Sequence, residues 1–243
     1  RSPAPKRPWN RQVEIPIKMA NKKKMVRAEF HCHSIYSPDS INRLEQLLQT
    51  AREVGIDRLC ITDHDTLAGS LKAHEMDPEL VVVSEEVQTE DGELIAYFLQ
   101  EEIPAGLPVV KTIELIRAQD AFITIPHPCD EYRAYWKPGQ LDEILPLVDA
   151  VEVFNARCFK PDFNERALEL AKKWKKPFTV GSDAHTYPEV GLATLQLPDF
   201  RSAQELRESI RQAGMHTERL APLEHIKAAG LVKLSKFFSR KEK

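Results

Sequence analysis

The chain alternates short apolar runs with segments in which apolar residues recur every three or four positions. The apolar runs, rich in Val, Ile and Phe, predict strands at 28–34, 58–62, 80–88, 94–99, 121–126, 150–154, 178–182 and 192–197. The amphipathic segments predict helices at 41–54, 68–76, 110–119, 141–148, 163–174 and 202–212. Gly92 marks a turn between the third and fourth strands. Strands that alternate with helices in this way predict an α/β fold with a mostly parallel sheet.

Polar residues capable of binding metal follow several of these strands. Residues two apart in a strand point to the same side, so His31 and His33 converge while Cys32 points away. Asp183 and His185 repeat the spacing near the end of the chain. Further candidates at strand ends are His64, Glu86 and His127. Closure of the sheet into a barrel is the simplest arrangement that brings all these ends to one mouth.

The mixture of imidazole and carboxylate groups indicates a site for Zn, Mn or Fe, since Mg and Ca prefer oxygen ligands alone. With Asp39 included, the candidate metal ligands number eight: His31, His33, Asp39, His64, Glu86, His127, Asp183 and His185. One ion that keeps a position open for water cannot use eight ligands, so two or three divalent ions are expected, with Glu86 as a bridge. Clustered ions favour hydrolysis by a metal-activated water. The sequence contains no G-x-S-x-G, Walker or G-x-G-x-x-G motif that would indicate other chemistry.

Composition narrows the protein class but not the substrate. The 243 residues are 42% hydrophobic and 29% charged, with a net charge of −3, which is typical of a globular domain and indicates no particular partner. The four cysteines form no C-x-x-C pair, which favours a reducing, cytoplasmic location. The sequence also predicts no membrane span, because no apolar stretch approaches about 18 residues.

The chain divides into three predicted regions. Residues 1–25 are basic and rich in proline, and they predict a flexible arm. Residues 26–200 predict a barrel that carries the metal site. Residues 201–243 predict C-terminal helices, packed on the barrel or peripheral to it, that end in a basic amphipathic helix over 225–243. Despite the basic arm, no stable nucleic-acid partner is predicted.

Taken in order, the motifs resemble those of the polymerase and histidinol phosphatase (PHP) family over about residues 28–197. The resemblance rests on His31-x-His33 with Asp39, Thr62-Asp63-His64, Glu86, Pro126-His127-Pro128, the strand 151–155 and Gly181-Ser182-Asp183-Ala184-His185. It implies a distorted (β/α)7 TIM-like barrel of the PHP type, a trinuclear metal site and hydrolysis of phosphate esters.

Carried over to this sequence, the resemblance assigns the ligands to three ions. It puts His31, His33, Glu86 and Asp183 around one ion. Glu86 and His127 serve a second ion, and Asp39, His64 and His185 hold a third. Many members supply a further histidine after the bridging glutamate, but residues 92–99 contain none.

The predicted catalytic residues are His31, His33, Glu86 and Asp183, with Arg157 as a cation for phosphate. Only 40 positions separate Glu86 from His127, which leaves no room for an inserted cap and favours a small phosphomonoester or a nucleotide as substrate. Glu152 and Asp65 are predicted either to orient ligand histidines or to serve the structure alone. An amidohydrolase-like metal hydrolase and a non-catalytic metal-binding module are the alternative functions.

Overall fold

A curved nine-stranded sheet forms the centre of the protein in a computed structural model that describes residues 23–133, 136–137, 139–220 and 230–232. Its strands are β1 (Met25–Cys32), β2 (Arg58–Ile61), β3 (Val81–Gln88), β4 (Glu93–Tyr97), β5 (Phe122–Ile125), β6 (Ala150–Asn155), β7 (Phe178–Gly181), β8 (Ala193–Pro198) and β9 (Gly214–Thr217). Their order across the sheet is β7-β6-β5-β4-β3-β2-β1-β8-β9. The helices are α1 (Leu44–Glu53), α2 (Ala68–Met76), α3 (Val109–Ala118), α4 (Gln140–Ile144), α5 (Pro161–Trp174) and α6 (Ala203–Ser209).

The sheet nearly closes into a barrel, as predicted. The backbone amide of Asp183 donates to the carbonyl of His31 at 2.7 Å, and that of His33 donates to Ala184 at 2.9 Å, which joins the end of β7 to β1. Strands β1 to β3 are parallel, and so are β5 to β7. However, β4 lies antiparallel to β3 and β5, and β8 lies antiparallel to β1. The fold is therefore a mixed α/β barrel rather than a simple repeat of seven strand and helix units.

Several predicted element boundaries are wrong for local reasons. Helix α1 begins at Leu44 instead of 41, because the amide of Ile41 donates to His185 and the side chain of Asn42 donates to His33. The predicted helix 141–148 changes after Ile144 into a single tighter turn that contains Pro146, which has no amide hydrogen to continue the α-helix.

The ends of the chain differ most from the predictions. Strand β9 was not predicted, and it adds a strand within the region 201–243 that was expected to be helical. Of the predicted N-terminal arm, residues 1–22 lie outside the described residues, and Met25 already begins β1. The predicted helix 225–243 is described only at 230–232, which are helical. No helix among the described residues is both long enough and apolar enough to cross a membrane.

Aromatic side chains fill the barrel interior on the side away from the metal-binding motifs. Phe30 packs edge-on against Tyr97 at 5.5 Å between ring centroids and stacks on Phe200 at 6.0 Å. The buried hydroxyl of Tyr97 donates to the Phe30 carbonyl at 3.1 Å, which satisfies its one polar atom. These contacts fix β1, and with it the direction of the His31 and His33 side chains.

Glu85 is buried on the outer side of β3 and gives a testable pH dependence. Its Oε2 accepts a hydrogen bond from the Ile103 amide at 3.1 Å, while Oε1 has no partner among the described residues. Burial raises the pKa of Glu85 from its ordinary 4.5 to about 8. The folded state therefore binds this proton more tightly than the unfolded state, and its contribution to stability is lost as the pH rises through about 8.

We expect Glu85→Gln to raise the melting temperature relative to the unmutated protein by roughly 3–6 °C at pH 9 and by little at pH 5, because glutamine carries no charge to bury. Thermal unfolding at both pH values measures this difference. Glu101→Gln, an exposed glutamate of the loop that contains Ile103, serves as the control. An equal shift at pH 5 and pH 9 would show that Glu85 does not titrate as described.

Candidate metal centre

The strand ends at the mouth of the barrel surround one cavity of about 290 Å³. The residues that line it are Asp39, His64, Glu93, His127, Arg133, Arg157, Asp183 and His185. The remaining predicted ligands, His31, His33 and Glu86, contact these residues and are buried. The structure thus brings all eight predicted ligands and the predicted cation Arg157 into one place.

The first pair of histidines follows the alternation of β1. His31 and His33 point to the same side, and their Nε2 atoms lie 3.1 Å apart, while Cys32 points into a separate apolar cluster. Asp183 Oδ1 lies 3.2 Å from His33 Nε2 and 3.6 Å from His31 Nε2. These atoms face a common point, as one ion would require.

Glu86 occupies the centre of the site. Its Oε2 lies 3.2 Å from His31 Nε2 and 3.2 Å from His64 Nδ1, and its Oε1 lies 3.2 Å from His127 Nε2. The two carboxylate oxygens therefore face different sets of imidazoles. This arrangement suits the bridging role predicted for Glu86.

A third group lies on the more open side of the cavity. Asp39 Oδ2 is 3.0 Å from His185 Nε2 and 3.7 Å from His64 Nε2. The other oxygen of Asp39 is buried with no hydrogen-bond partner among the described residues. This carboxylate oxygen lies next to two imidazoles, and a bound cation would supply the partner that it lacks.

The donor atoms have spacings that fit divalent ions. Two ligand atoms bound at about 2.1 Å to one tetrahedral or octahedral ion lie roughly 3.0–3.4 Å apart. Several pairs in the cavity lie close to this range, as the 3.0 Å from Asp39 to His185 and the 3.2 Å from Asp183 to His33 illustrate. Among the described residues, four sets of three His, Asp or Glu side chains have potential ligand atoms that all lie within 4.8 Å of one another, and one of these sets includes Glu93.

The backbone of two ligands adopts an uncommon conformation. His127 has φ of 27° and Asp183 has φ of 54°, in the left-handed region that non-glycine residues seldom occupy. Such conformations cost about 1–3 kcal/mol each and persist where the surrounding structure imposes them. Next to Asp183, a Cβ atom on Gly181 would lie 2.3 Å from His31 Cβ and 2.4 Å from Glu152 Oε1, so only glycine fits there.

Glu152 accepts hydrogen bonds from two of the candidate ligands on the side away from the cavity. Its Oε1 accepts a hydrogen bond from His31 Nδ1 at 2.9 Å, which leaves Nε2 of that ring facing the cavity. Its Oε2 accepts from the His127 amide at 2.8 Å and from Asn155 at 3.1 Å. Of the two predicted orienting groups, Glu152 contacts a ligand histidine, whereas Asp65 accepts a hydrogen bond from the amide of Gln88.

A second orienting network was missed by the sequence analysis. Ser37 Oγ accepts from His33 Nδ1 at 3.0 Å and from the His64 amide at 3.1 Å, and it donates to Asp63 Oδ1 at 2.7 Å. Asp63 also accepts from the hydroxyl of Ser34 at 2.6 Å. The only signal in the sequence is the position of Asp63 inside the Thr62-Asp63-His64 motif, since the serines look like ordinary loop residues.

The pKa values of the two buried histidines His31 and His33 are shifted in opposite directions. Burial and the neighbouring imidazoles, chiefly His185, lower the pKa of His33 well below its ordinary value. Burial would also lower the pKa of His31, but nearby carboxylates, chiefly Glu86 and Asp183, raise it well above the ordinary value. Because a divalent ion must displace the proton from His31, metal affinity should increase with pH.

Two guanidinium groups border the cavity. Arg133 pairs with the carboxylate of Asp183, and its Nε lies 3.4 Å from Asp130 Oδ2. Arg157 contacts the ring of His185, and its Nη1 donates to the Asp183 carbonyl at 3.5 Å. Both cations therefore line the cavity next to the predicted ligands.

Comparison with known proteins agrees with the motifs. The PHP domain profile matches residues 29–106, and a profile described as PHP-associated matches residues 161–214. The uncharacterized protein MJ0417 of Methanocaldococcus jannaschii is 35% identical over 179 residues, which cover 72% of this chain and 72% of that protein. This chain belongs to the PHP family. Uncharacterized protein MJ1587 of the same organism is 37% identical over 145 residues, 54% of this chain and 82% of that protein.

Solved structures show the same PHP fold. A two-domain protein from Bacteroides vulgatus, described as containing a predicted PHP-like metal-dependent phosphoesterase, superposes with a TM-score of 0.67 at 14% identity. The match covers 86% of this chain and 70% of that chain. The chain thus combines a PHP phosphoesterase-like fold with clusters of His, Glu and Asp that suit metal ions.

Proposed function

We propose that this PHP protein is a metal-dependent phosphoesterase that hydrolyses a small phosphomonoester or the phosphate end of a nucleotide. The observation that carries the proposal is the convergence of eight candidate ligands and two arginines on one cavity. Neither a cluster of ligands nor a pair of cations alone would indicate phosphate. Together they provide sites for metal and for a phosphate dianion in the same space.

The residues have distinct proposed roles. The ligands for two or three Mn, Zn or Fe ions are His31, His33, Asp39, His64, Glu86, His127, Asp183 and His185. Ions held there supply an activated water and neutralise charge on the phosphoryl group. Arg157 and Arg133 bind the remaining phosphate oxygens, because the planar guanidinium group matches phosphate geometry.

The size of the cavity favours a small substrate. Its volume of about 290 Å³ is at the lower limit for ligand pockets. The chain between Glu86 and His127 forms β4, α3, β5 and their connections, and no cap domain is inserted there. The phosphate group therefore enters the cavity while the rest of the substrate remains at the open mouth.

Phosphate release after metal reconstitution tests the proposal. Chelator-treated protein reloaded with manganese is expected to release phosphate from p-nitrophenyl phosphate or from a nucleotide, within a panel of mono- and diesters. Hydrolysis of a cyclic amide, with no phosphoester cleaved, would instead support an amidohydrolase-like enzyme. The cavity lining speaks against that alternative, because it contains no lysine among the described residues and the two oxygens of Glu86 face different imidazoles, as the proposed bridge requires. No hydrolysis, with at most one bound ion per chain, would support a non-catalytic module.

Arg157→Ala is expected to lower kcat/KM for a phosphomonoester at least about tenfold, since a hydrogen bond to a charged group contributes about 1.5–3 kcal/mol. It should also weaken competitive inhibition by inorganic phosphate to a similar extent. Steady-state kinetics with and without phosphate measures both effects. The matched control is Arg211→Ala, which removes an exposed arginine that is distant from Arg157 in the sequence. Equal losses in the two variants would exclude a specific role for Arg157 in phosphate binding.

The cellular location proposed from the sequence is the cytoplasm. All four cysteines are free thiols in the structure, which supports a reducing compartment.

A further inference from the structure

The hairpin between β3 and β4 adds a carboxylate that the sequence analysis did not include among the ligands. In this hairpin Glu86 pairs with Ile95 and Gln88 pairs with Glu93. Residues two apart share a face of the strand, so Glu93 lies on the same face as Glu86. It is two cross-strand pairs closer to the turn than Glu86.

Glu93 is held close to the ligands that surround Glu86. Its Oε2 lies 3.7 Å from His127 Nε2, which is itself 3.2 Å from Glu86 Oε1. Single ligand atoms of His64, Glu86 and Glu93 all lie within 4.8 Å of one another. The Glu93 side chain is 14% exposed, whereas that of Asp39 is 48% exposed. Glu93 is thus directed into the site rather than into solvent.

The turn that carries Glu93 is rigidly held. Thr89 Oγ1 accepts from the Gly92 amide at 3.0 Å and from the Asp91 amide at 3.2 Å. The buried ring of Trp136 packs directly on Gly92, where a Cβ atom would lie 2.5 Å from the indole. This aromatic residue, which is 4% exposed, therefore supports the hairpin and is not available to stack on a substrate.

The ligands near Glu93 differ in chemistry from the rest of the centre. Around His31 and His33, two imidazoles face Asp183 and one oxygen of Glu86. Around His127, the carboxylates of Glu86 and Glu93 face one imidazole. His64 also reaches these carboxylates through Nδ1, but its Nε2 faces Asp39 of the third group. Oxygen-rich sites favour the harder cations Mn and Mg, whereas imidazole-rich sites suit Zn and Fe.

We propose that Glu86, Glu93 and His127 form a subsite that favours Mn, the hardest of the expected divalent cations, relative to the imidazole-rich remainder of the centre. The proposal rests on the multi-ion site of the proposed function. It adds that the ion positions within this site differ in the metal that they prefer. Because zinc binds most mixed sites more tightly than manganese, the preference is expressed as a ratio of the two metals and not as absolute affinity.

Metal content of Glu93 variants tests this inference without reference to activity. Chelator-treated protein is dialysed against equimolar Mn and Zn, the ions per chain are counted by mass spectrometry, and bound Mn is followed by electron paramagnetic resonance. Glu93→His is expected to lower the ratio of bound Mn to Zn at least tenfold with the ion count unchanged. Glu93→Gln, of the same size but without charge, is expected to lose about one ion per chain.

The control is Glu90→Gln, which removes an exposed glutamate from the same hairpin and should leave both the count and the ratio unchanged. Melting temperatures show whether each variant is folded. If both Glu93 variants keep the original ion count and metal ratio, the inference is wrong while the multi-ion site stands. If the unmutated protein binds no Mn or Zn at all, the inference and the proposed function both fail.

Discussion

Asp183→Asn in manganese-loaded protein will reduce phosphate release by at least about 1,000-fold. Asp183 Oδ1 faces the Nε2 atoms of His31 and His33, and asparagine would keep the shape of the side chain while removing its charge. Loss of a charged ligand removes several kcal/mol of stabilisation from a site that acts through its ions, and each 1.36 kcal/mol corresponds to a tenfold change in rate. Initial rates on the best ester of the panel measure the effect.

His33→Ala should cause a loss of the same size, because it removes the imidazole opposite Asp183. His216→Ala, which removes an exposed histidine of β9, is the matched control and should retain full activity. Melting temperatures separate loss of activity from loss of folding. Turnover retained in both Asp183→Asn and His33→Ala would refute the assignment of the site.

The second large effect is expected from Glu152, which does not line the cavity but accepts hydrogen bonds from two candidate ligands, His31 and His127. We expect Glu152→Gln to weaken metal binding by about 100-fold, because a glutamine amide cannot accept all three hydrogen bonds from His31, His127 and Asn155. Titration of the chelator-treated variant with manganese measures the affinity directly.

A purely structural role for Glu152 predicts a different result. In that case Glu152→Gln would lower the melting temperature of the metal-free protein but leave manganese affinity unchanged. The control variant is Glu143→Gln, an exposed glutamate of α4. An affinity in Glu152→Gln within twofold of that in the control would show that this carboxylate does not position the ligands.

The convergence of the candidate ligands could be predicted from the sequence because their placement follows local rules. His31 and His33 share a face because side chains alternate along any strand, and His64, Glu86 and His127 follow apolar runs that are buried in the sheet. The barrel followed from the need to bring these strand ends together.

What the sequence analysis missed depends on contacts between distant segments. Glu93 faces the site only because it pairs with Gln88 in the hairpin. The sequence analysis considered only histidine as a further ligand in this segment and therefore did not consider this carboxylate. Ser37 and Asp63 join through a loop whose path is set by tertiary packing. Likewise, β9 is a short exposed strand that forms because β8 is available to pair with it, and its own residues have no strand pattern.

The central claim is that side chains from distant strands hold several ions in a single cavity. Anomalous diffraction at the manganese absorption edge from a manganese-loaded crystal tests it most directly. The account predicts two or three anomalous peaks inside the cavity, one of them in contact with His31, His33 and Asp183. A map with no peak in the cavity, or with peaks only elsewhere on the protein, would contradict it.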